Sequence, residues 1–437
     1  MKTHRPLALR AYLLLAHALA PVWRWGLQRR LQRGKETEAS IQQKLGLQQA
    51  TRPAGPLVWG HAVGVGESMA LAGLFARLAP LRPELNFLIT TTARTSGDAL
   101  RRNGLPPRCQ HQFAPVDTPD ATARFLDHWQ PTLAVWCEMD LWPALMAGTD
   151  ARGMARVLVN ARLSAASLAK RRWGRWVYQA LMPGFRHIFA QNVETVDALA
   201  SLGAVRARMS VTGTIKSLSP ALACNADTLH TWEQALGQRP LWLLASSHPG
   251  EEALALQAHA RLRQHWPEAL LIIAPRVPTR GAEVQALCNA ASATNPGADT
   301  GPNRGPVSGP NTSLRSANAP LPTAAGVYVA DTVGEMGLWY RLAPVALVGG
   351  SIAQVGGHNP YEPLALGCAV LHGPNVWNFA EAYQTLDALG LSEPVTDAQQ
   401  IAQAVASAWA SPATRQDRRP TDAQVDTMLL HLQALLD

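Results

Sequence analysis

The sequence predicts an α/β protein of two doubly wound units, each a parallel sheet covered by helices on both faces, with a ligand cleft between them. Three observations carry this expectation. Short apolar strand-like runs alternate with helix-length amphipathic stretches in two separate series. Polar, glycine-bearing clusters follow the strands at their carboxyl ends, where an open parallel sheet binds its ligands. The length of 437 residues holds two or three domains, and 47% apolar with 16% charged residues places the chain among globular proteins and excludes a disordered one.

Taken in order, the chain begins with an apolar run over residues 11–23, interrupted by His17 and flanked by Arg10, Arg24, Arg29, Arg30 and Arg33. It is shorter than the ~20 residues a spanning helix needs. Its basic flanks and edge tryptophans predict an anchor lying in the headgroup region, held by apolar burial and by attraction to anionic lipid. The net charge of +8 is thereby directed at a membrane surface and away from nucleic acid. Arginines kept on the inner face predict that the body lies in the cytoplasm.

A polar helix is expected over residues 34–46. Strands are then expected at 56–62, 85–92, 132–137, 156–160, 187–190 and 209–212, with helices at 68–79, 96–102 and 120–129. The second series has strands at 241–245, 269–274, 327–330 and 345–348 and helices at 251–265, from Gly281 and at 334–342. The junction falls near residues 216–225. Residues 292–324, rich in Gly, Pro, Asn, Ser and Ala, read as a flexible insertion. Met428, Leu429, Leu432 and Leu435 form one stripe on a final helix over 422–436, which needs a domain to pack on.

Several stretches carry candidate chemistry. In VALVGGSIAQVGGHNPYEP (345–363), the pairs Gly349–Gly350 and Gly356–Gly357 would let backbone amides approach an anion, a helix from about Asn359 and Pro360 would aim its positive end there, and Glu362 could accept hydrogen bonds from sugar hydroxyls. These features point to a nucleotide-sugar site. In the first series WGHAVGVGE (59–67) runs from a strand through a glycine turn into a helix, leaving Glu67 at the positive end, where it can act as a general base or cap the helix. Glu138 to Pro143, Asn160 to Ser164, Ser246 to Glu252 and Pro275–Arg276 occupy the same topological position. The five cysteines show no CxxC spacing and read as reduced, buried thiols. The sequence contains no HExxH, Walker lysine or DxD, so a metal site has little support.

Together the motifs HAVGVGE, APVD, EMDLWP, NARLS, VTGTIK, ASSHPGEE, PR, GEM, VGGS, GGHNPYEP and GPNVWNF resemble, in order and over residues 34 to about 379, the 3-deoxy-D-manno-octulosonic acid (Kdo) transferases. These are membrane-associated GT-B enzymes of lipopolysaccharide core synthesis. Four positions depart from the pattern: Gly64 for Ser, Asp140 for Glu, Thr214 for Asn, and Val277 where His follows Pro-Arg. The resemblance implies two Rossmann-like domains facing a central cleft, with a membrane-associated segment at 1–33, an acceptor domain at 34–215, a donor domain at 216–421 holding the insertion, and a final helix at 422–437. It further implies inverting transfer of Kdo from CMP-Kdo to a lipid A precursor at the cytoplasmic face of the bacterial inner membrane, with no metal and no cofactor beyond the donor. Glu67 resembles the base. Lys216, Ser247, His248, Arg276, Gly334, Glu335, Gly349, Gly350, Ser351, Gly357, Asn359 and Glu362 fall on the donor side, and His61, Arg94, Glu138, Asp140 and Arg162 on the acceptor side. The rival readings are a GT-B enzyme using a UDP- or ADP-sugar and a membrane-bound scaffold that has lost catalysis.

Overall fold

A computed structural model describes residues 6–170, 175–294, 312–319, 326–410, 416–420 and 423–437. The chain divides into two compact units, residues 1–220 with 421–437, and residues 221–420. In the first unit β1 (Leu57–His61), β2 (Asn86–Thr91), β3 (Cys109–Phe113), β4 (Leu133–Cys137), β5 (Ala155–Ala161), β6 (His187–Ala190) and β7 (Met209–Val211) form a parallel sheet in the order β3-β2-β1-β4-β5-β6-β7. Strands β1 and β4 are buried at every position, which is why they read as unbroken apolar runs. The order reverses between them, so their carboxyl ends open side by side.

The second unit repeats the plan. Its strands are β8 (Leu241–Ser247), β9 (Leu270–Pro275), β10 (Thr312–Leu314), β11 (Gly326–Val329), β12 (Val345–Val348), β13 (Ala369–His372) and β14 (Ser392–Pro394), in the parallel order β10-β11-β9-β8-β12-β13-β14. Here the reversal lies between β8 and β12.

Four expectations gain structural detail. The N-terminal segment is two helices, Leu7–Ala18 and Ala20–Gln32, parted at Leu19 just before Pro21. Leu9, Ala16 and Leu27 are buried, and the Tyr12 hydroxyl donates to Asp117 Oδ2 at 2.7 Å, so part of this segment belongs to the first unit's core. Among the described residues no helix is long and apolar enough to cross a membrane.

The expected insertion is not structureless throughout. Residues 295–311 and 320–325 lie outside the described residues, but Thr312–Leu314 make the edge strand β10, whose Thr312 and Ser313 are buried. Its composition concealed this because the strand is only three residues long.

The unit boundary falls after Pro220, not before Lys216, since the short 3-10 turn Ile215–Leu218 packs on the helix Val65–Leu81. A Cβ on Gly73 would sit 1.8 Å from Leu218 O, so only glycine admits this approach. The last helix, Ala423–Ala434, is likewise part of the first unit: Val425, Met428, Leu429 and Leu432 join the core beneath Val65–Leu81. Burying such side chains contributes roughly 1.5–3 kcal/mol each, which explains why the chain returns to this unit.

Candidate functional site

At the first reversal point, β1 passes through Ala62 to Gly64 into the helix Val65–Leu81, with Glu67 in its first turn. Glu67 Oε2 accepts from Val63 N at 3.1 Å and Gly64 N at 2.9 Å. The side chain thus caps the helix, and its capping posture holds it at the carboxyl end of β1. Across the reversal, Glu138 follows β4 with φ of 63°, a left-handed conformation unusual for a residue with a Cβ. Glu138 Oε1 accepts from Asn160 Nδ2 at 3.0 Å and lies 3.6 Å from Lys216 Nζ.

Burial pushes the Glu138 carboxyl up to about 7; Lys216 pulls it down and the charges of Glu67 and Asp140 push it up. Asn160 is the hub of this arrangement. Fully buried and itself at φ of 56°, it accepts at Oδ1 from Gln191 Nε2, Thr214 Oγ1 and Ile215 N, tying three segments to Glu138. Thr214 Oγ1 in turn accepts from Lys216 N, so the departure at 214 keeps a polar bridge to Lys216.

Other residues expected here fall differently. His61 is buried beneath Trp142, with ring centroids 5.8 Å apart at 84°, so it does not itself line a surface. Its Nδ1 pairs with Thr90 Oγ1 at 3.0 Å, its Nε2 has no partner among the described residues, and burial pushes its pKa down to about 4. Asp140 and Arg162 are exposed beyond β4 and β5. Arg94 donates to Gly34 O at 2.9 Å, beside a cavity of about 740 Å³ walled by Leu19, Val22, Trp23, Ala93, Val116 and Trp142. Arg30 and Lys44 also reach its wall, and both pair with the buried Glu36.

The second reversal point is occupied by one carboxylate. Glu251, almost fully buried, accepts from His248 N and Gly350 N at Oε2 and from Ile352 N and Ala353 N at Oε1, all between 2.9 and 3.1 Å. Gly349 N donates to Ala245 O, and Gly356 N and Gly357 N both donate to Gly350 O. The glycine amides expected to cradle an anion are therefore satisfied within the protein: the glycines serve close approach, since a Cβ on Gly349 would meet Ser246 O at 2.4 Å. Ser351, fully buried, donates to Val348 O and accepts from Gly373 N, and Ser247 Oγ donates to Glu252 Oε1. These two serines brace the loop.

Glu335, expected on the donor side, is engaged within its own unit. Arg315, in the turn after β10, holds it by two hydrogen bonds at 3.0 and 2.6 Å and keeps its carboxyl below the usual range; Thr332 also donates to it. Gly334 precedes it at φ of 88°. Still accessible among the residues expected in this unit are Arg276, exposed after β9, and the half-buried His248, Asn359 and Glu362, where Asn359 Nδ2 lies 3.4 Å from Glu362 Oε1 and Asn359 Oδ1 accepts from Tyr361 N. His358, in the same glycine-rich stretch, stacks on His248 with Nε2 to Nε2 of 2.9 Å; burial, then His248 and Arg276, push its pKa down to about 4.

Two parallel α/β sheets, each with polar groups gathered at its reversal point, define an enzyme fold of the GT-B-like class. UDP-GlcNAc 2-epimerase from Neisseria meningitidis, solved bound to UDP-GlcNAc, shares that fold with a TM-score of 0.55 at 14% identity, over 86% of this chain and 100% of that one. The chain belongs to the 3-deoxy-D-manno-octulosonic acid transferase family. Residues 39–218 match the family's sequence model, described as 3-Deoxy-D-manno-octulosonic-acid transferase (kdotransferase). The chain is 33% identical over 415 residues to the 3-deoxy-D-manno-octulosonic acid transferase of Bordetella pertussis, covering 93% of this chain and 92% of that one, and 30% identical over 386 residues to that of Haemophilus influenzae, covering 86% and 85%.

Proposed function

We propose that this chain transfers Kdo from CMP-Kdo to a hydroxyl of a lipid A precursor with inversion, in the GT-B manner, the first unit carrying the acceptor and the second the donor. The observation that carries the reading is Glu67 in the first turn of the helix Val65–Leu81, held there by Val63 N and Gly64 N at the first reversal point. An inverting displacement needs one base opposite the leaving group, and Glu67 stands at a strand's carboxyl end, with Glu138 at the end of the strand paired to it. Glu67 takes the acceptor proton as the acceptor oxygen bonds to the anomeric carbon. CMP departs with the electron pair of the broken C–O bond. In the second unit, Arg276 and His248 are the cationic or donor groups suited to its phosphate, and Glu362, oriented by Asn359, suits a hydroxyl.

The cavity walled by Leu19, Val22, Trp23 and Trp142 supports an acceptor with acyl chains, and Arg94 beside it suits an acceptor phosphate. Leu14, Leu15, Val22, Trp23 and Trp25 are exposed on the two N-terminal helices, where Arg24, Arg29 and Arg33 also lie, which supports seating on an anionic membrane surface, on the cytoplasmic face of the bacterial inner membrane. Replacing Leu14, Leu15 and Trp25 by Ser should release protein from anionic vesicles without unfolding it, because none of the three is buried; full retention would remove the membrane seating.

The decisive assay incubates the protein with CMP-Kdo and tetraacylated lipid A precursor and weighs the lipid by mass spectrometry. A product heavier by one or more Kdo residues is expected. Transfer from a UDP- or ADP-sugar instead, or no transfer from any donor, would overturn the proposal.

A further inference from the structure

We propose that His358 is a positioning residue for the nucleotide phosphate: it donates from Nε2 to His248 Nε2, which keeps the hydrogen of His248 on Nδ1, ready to be shared with a phosphate oxygen. The inference rests on the reading that the second unit holds CMP-Kdo, and deepens it. The amides of the glycine-rich stretch are engaged within the protein, so the side chains of its loop must meet the phosphate instead.

The contact between the two rings is built into the loop. Glu251 Oε2 takes both His248 N and Gly350 N, each at 2.9 Å, which fixes the backbone under the first ring. Gly350 O takes Gly356 N and Gly357 N at 3.0 and 2.7 Å, and the Tyr383 hydroxyl donates to His358 O at 3.0 Å, which fixes the backbone under the second. Gly350, at φ of 67°, makes room for the pair: a Cβ there would lie 3.1 Å from His358 Nε2 and 3.4 Å from His248 Cδ2. The rings lie within 15° of parallel with Nε2 to Nε2 of 2.9 Å, yet their centroids are 5.1 Å apart. That excess is close to twice the reach from ring centre to ring nitrogen, so the rings are displaced until the two Nε2 atoms face each other along one line. This is the geometry of a straight hydrogen bond.

A bond between two Nε2 atoms holds one hydrogen, so the tautomers of the two rings are coupled. Burial, then His248 and Arg276, keep His358 neutral, with its pKa pushed down to about 4, and it therefore carries a single ring hydrogen. If that hydrogen is on Nε2, it lies in the bond, and His248 carries its own on Nδ1. If it is on Nδ1, His248 must fill the bond from Nε2, and its neutral ring turns a bare lone pair on Nδ1 towards the ligand. Only the first arrangement lets the neutral pair offer a phosphate oxygen a donor. His248 is half-buried and its Nδ1 has no hydrogen-bond partner among the described residues, while Arg276, exposed after β9, supplies the positive charge. No proton leaves His248. As the bond from the phosphate oxygen to Kdo breaks, that oxygen keeps the electron pair, and the Nδ1–H group meets the charge developing on the phosphate. A donor aimed at developing charge acts on turnover more than on donor binding.

The test reads the tautomer and the chemistry separately. In the full-length protein with isotope-labelled histidine, assigned through the His248→Ala and His358→Phe variants, proton–nitrogen correlation spectra should place the hydrogen of His248 on Nδ1 and that of His358 on Nε2. His358→Phe keeps a ring and loses the hydrogen. It should mix the His248 tautomers and lower kcat on the order of tenfold, less than the roughly 10² to 10³-fold lost with such a donor itself, while KM for CMP-Kdo changes less than about threefold. His358→Gln, whose amide can still donate to His248 Nε2, should recover most of kcat. Hydrogen on His248 Nε2 in the wild-type spectrum, alone or on both nitrogens, overturns the proposal, as does a His358→Phe enzyme that melts and turns over like wild type. Should the Phe variant fail to fold, the wild-type spectrum still decides. Failure of the underlying reading is separate: it appears as a His248→Ala enzyme that binds CMP and turns over as wild type does.

Discussion

The two reversal points are built on one plan and used in opposite ways. In the first unit, between β1 and β4, two carboxyls and an ammonium are crowded together: Glu67 holds two amides, Glu138 holds one side-chain amide, and Lys216 stands by. In the second, between β8 and β12, Glu251 accepts four amide hydrogens and disappears into the loop it organises. A carboxylate with four donors is a structural element; the Glu138 carboxyl, pushed up by burial beside the Lys216 ammonium, retains a proton equilibrium that chemistry can use. The same topology therefore yields an edge of partly exposed carboxyls in one unit and a closed shelf in the other.

The comparison can be broken most forcefully at its two glutamates. Glu67→Gln, which keeps the shape, should lower turnover 10² to 10⁴-fold, the usual contribution of a general base, with CMP affinity and melting nearly unchanged. Glu251→Gln should do the reverse: it turns an amide group towards backbone donors, so destabilisation of about 2–4 kcal/mol and loss of CMP binding are expected in chemical denaturation and calorimetry. If Glu251→Gln melts like wild type and still binds CMP, the shelf is not what Glu251 builds.

A smaller effect tests a feature common to both units. His61 and His259 are buried neutral imidazoles, with burial pushing their pKa values down to about 4 and about 3. Since the folded values lie below the unfolded value near 6.5, the unfolded chain takes up these protons first. The stability these groups lend is present above pH 6.5 and is lost progressively as pH falls below it. For His61 the loss approaches about 3 kcal/mol near pH 4. Melting temperature should fall between pH 6.5 and 4.5, and His61→Asn should make that fall shallower.

The smallest expected effect concerns Glu335. With its partner Arg315 and itself each about three-quarters buried, Glu335→Gln should change stability by at most about 1 kcal/mol and leave the affinity for CMP intact. A marked loss of donor affinity would place Glu335 in the donor site as well.

Much of this was legible in the chain. Apolar runs buried on both faces announce parallel strands, and a glycine cluster after such a run announces a reversal point, because both follow from local period and composition. Eleven short motifs in order carried the family. The sequence alone thus determined the fold class, the strand ends at which chemistry gathers, and Glu67 as the residue to examine. It could not tell whether a glycine amide is open to a ligand: Gly349, Gly350 and Ser351 look like an anion cradle until Glu251, about a hundred residues away, is found inside it. Nor could it bring Lys216 to Glu138, since that contact depends on a turn lying against Gly73. Left-handed backbone at Glu138, Asn160 and Ser246 has no local signature either, because in residues other than glycine it is imposed by packing. Local pattern is written by neighbours along the chain, whereas the partner of each polar group is settled by residues that only folding makes adjacent.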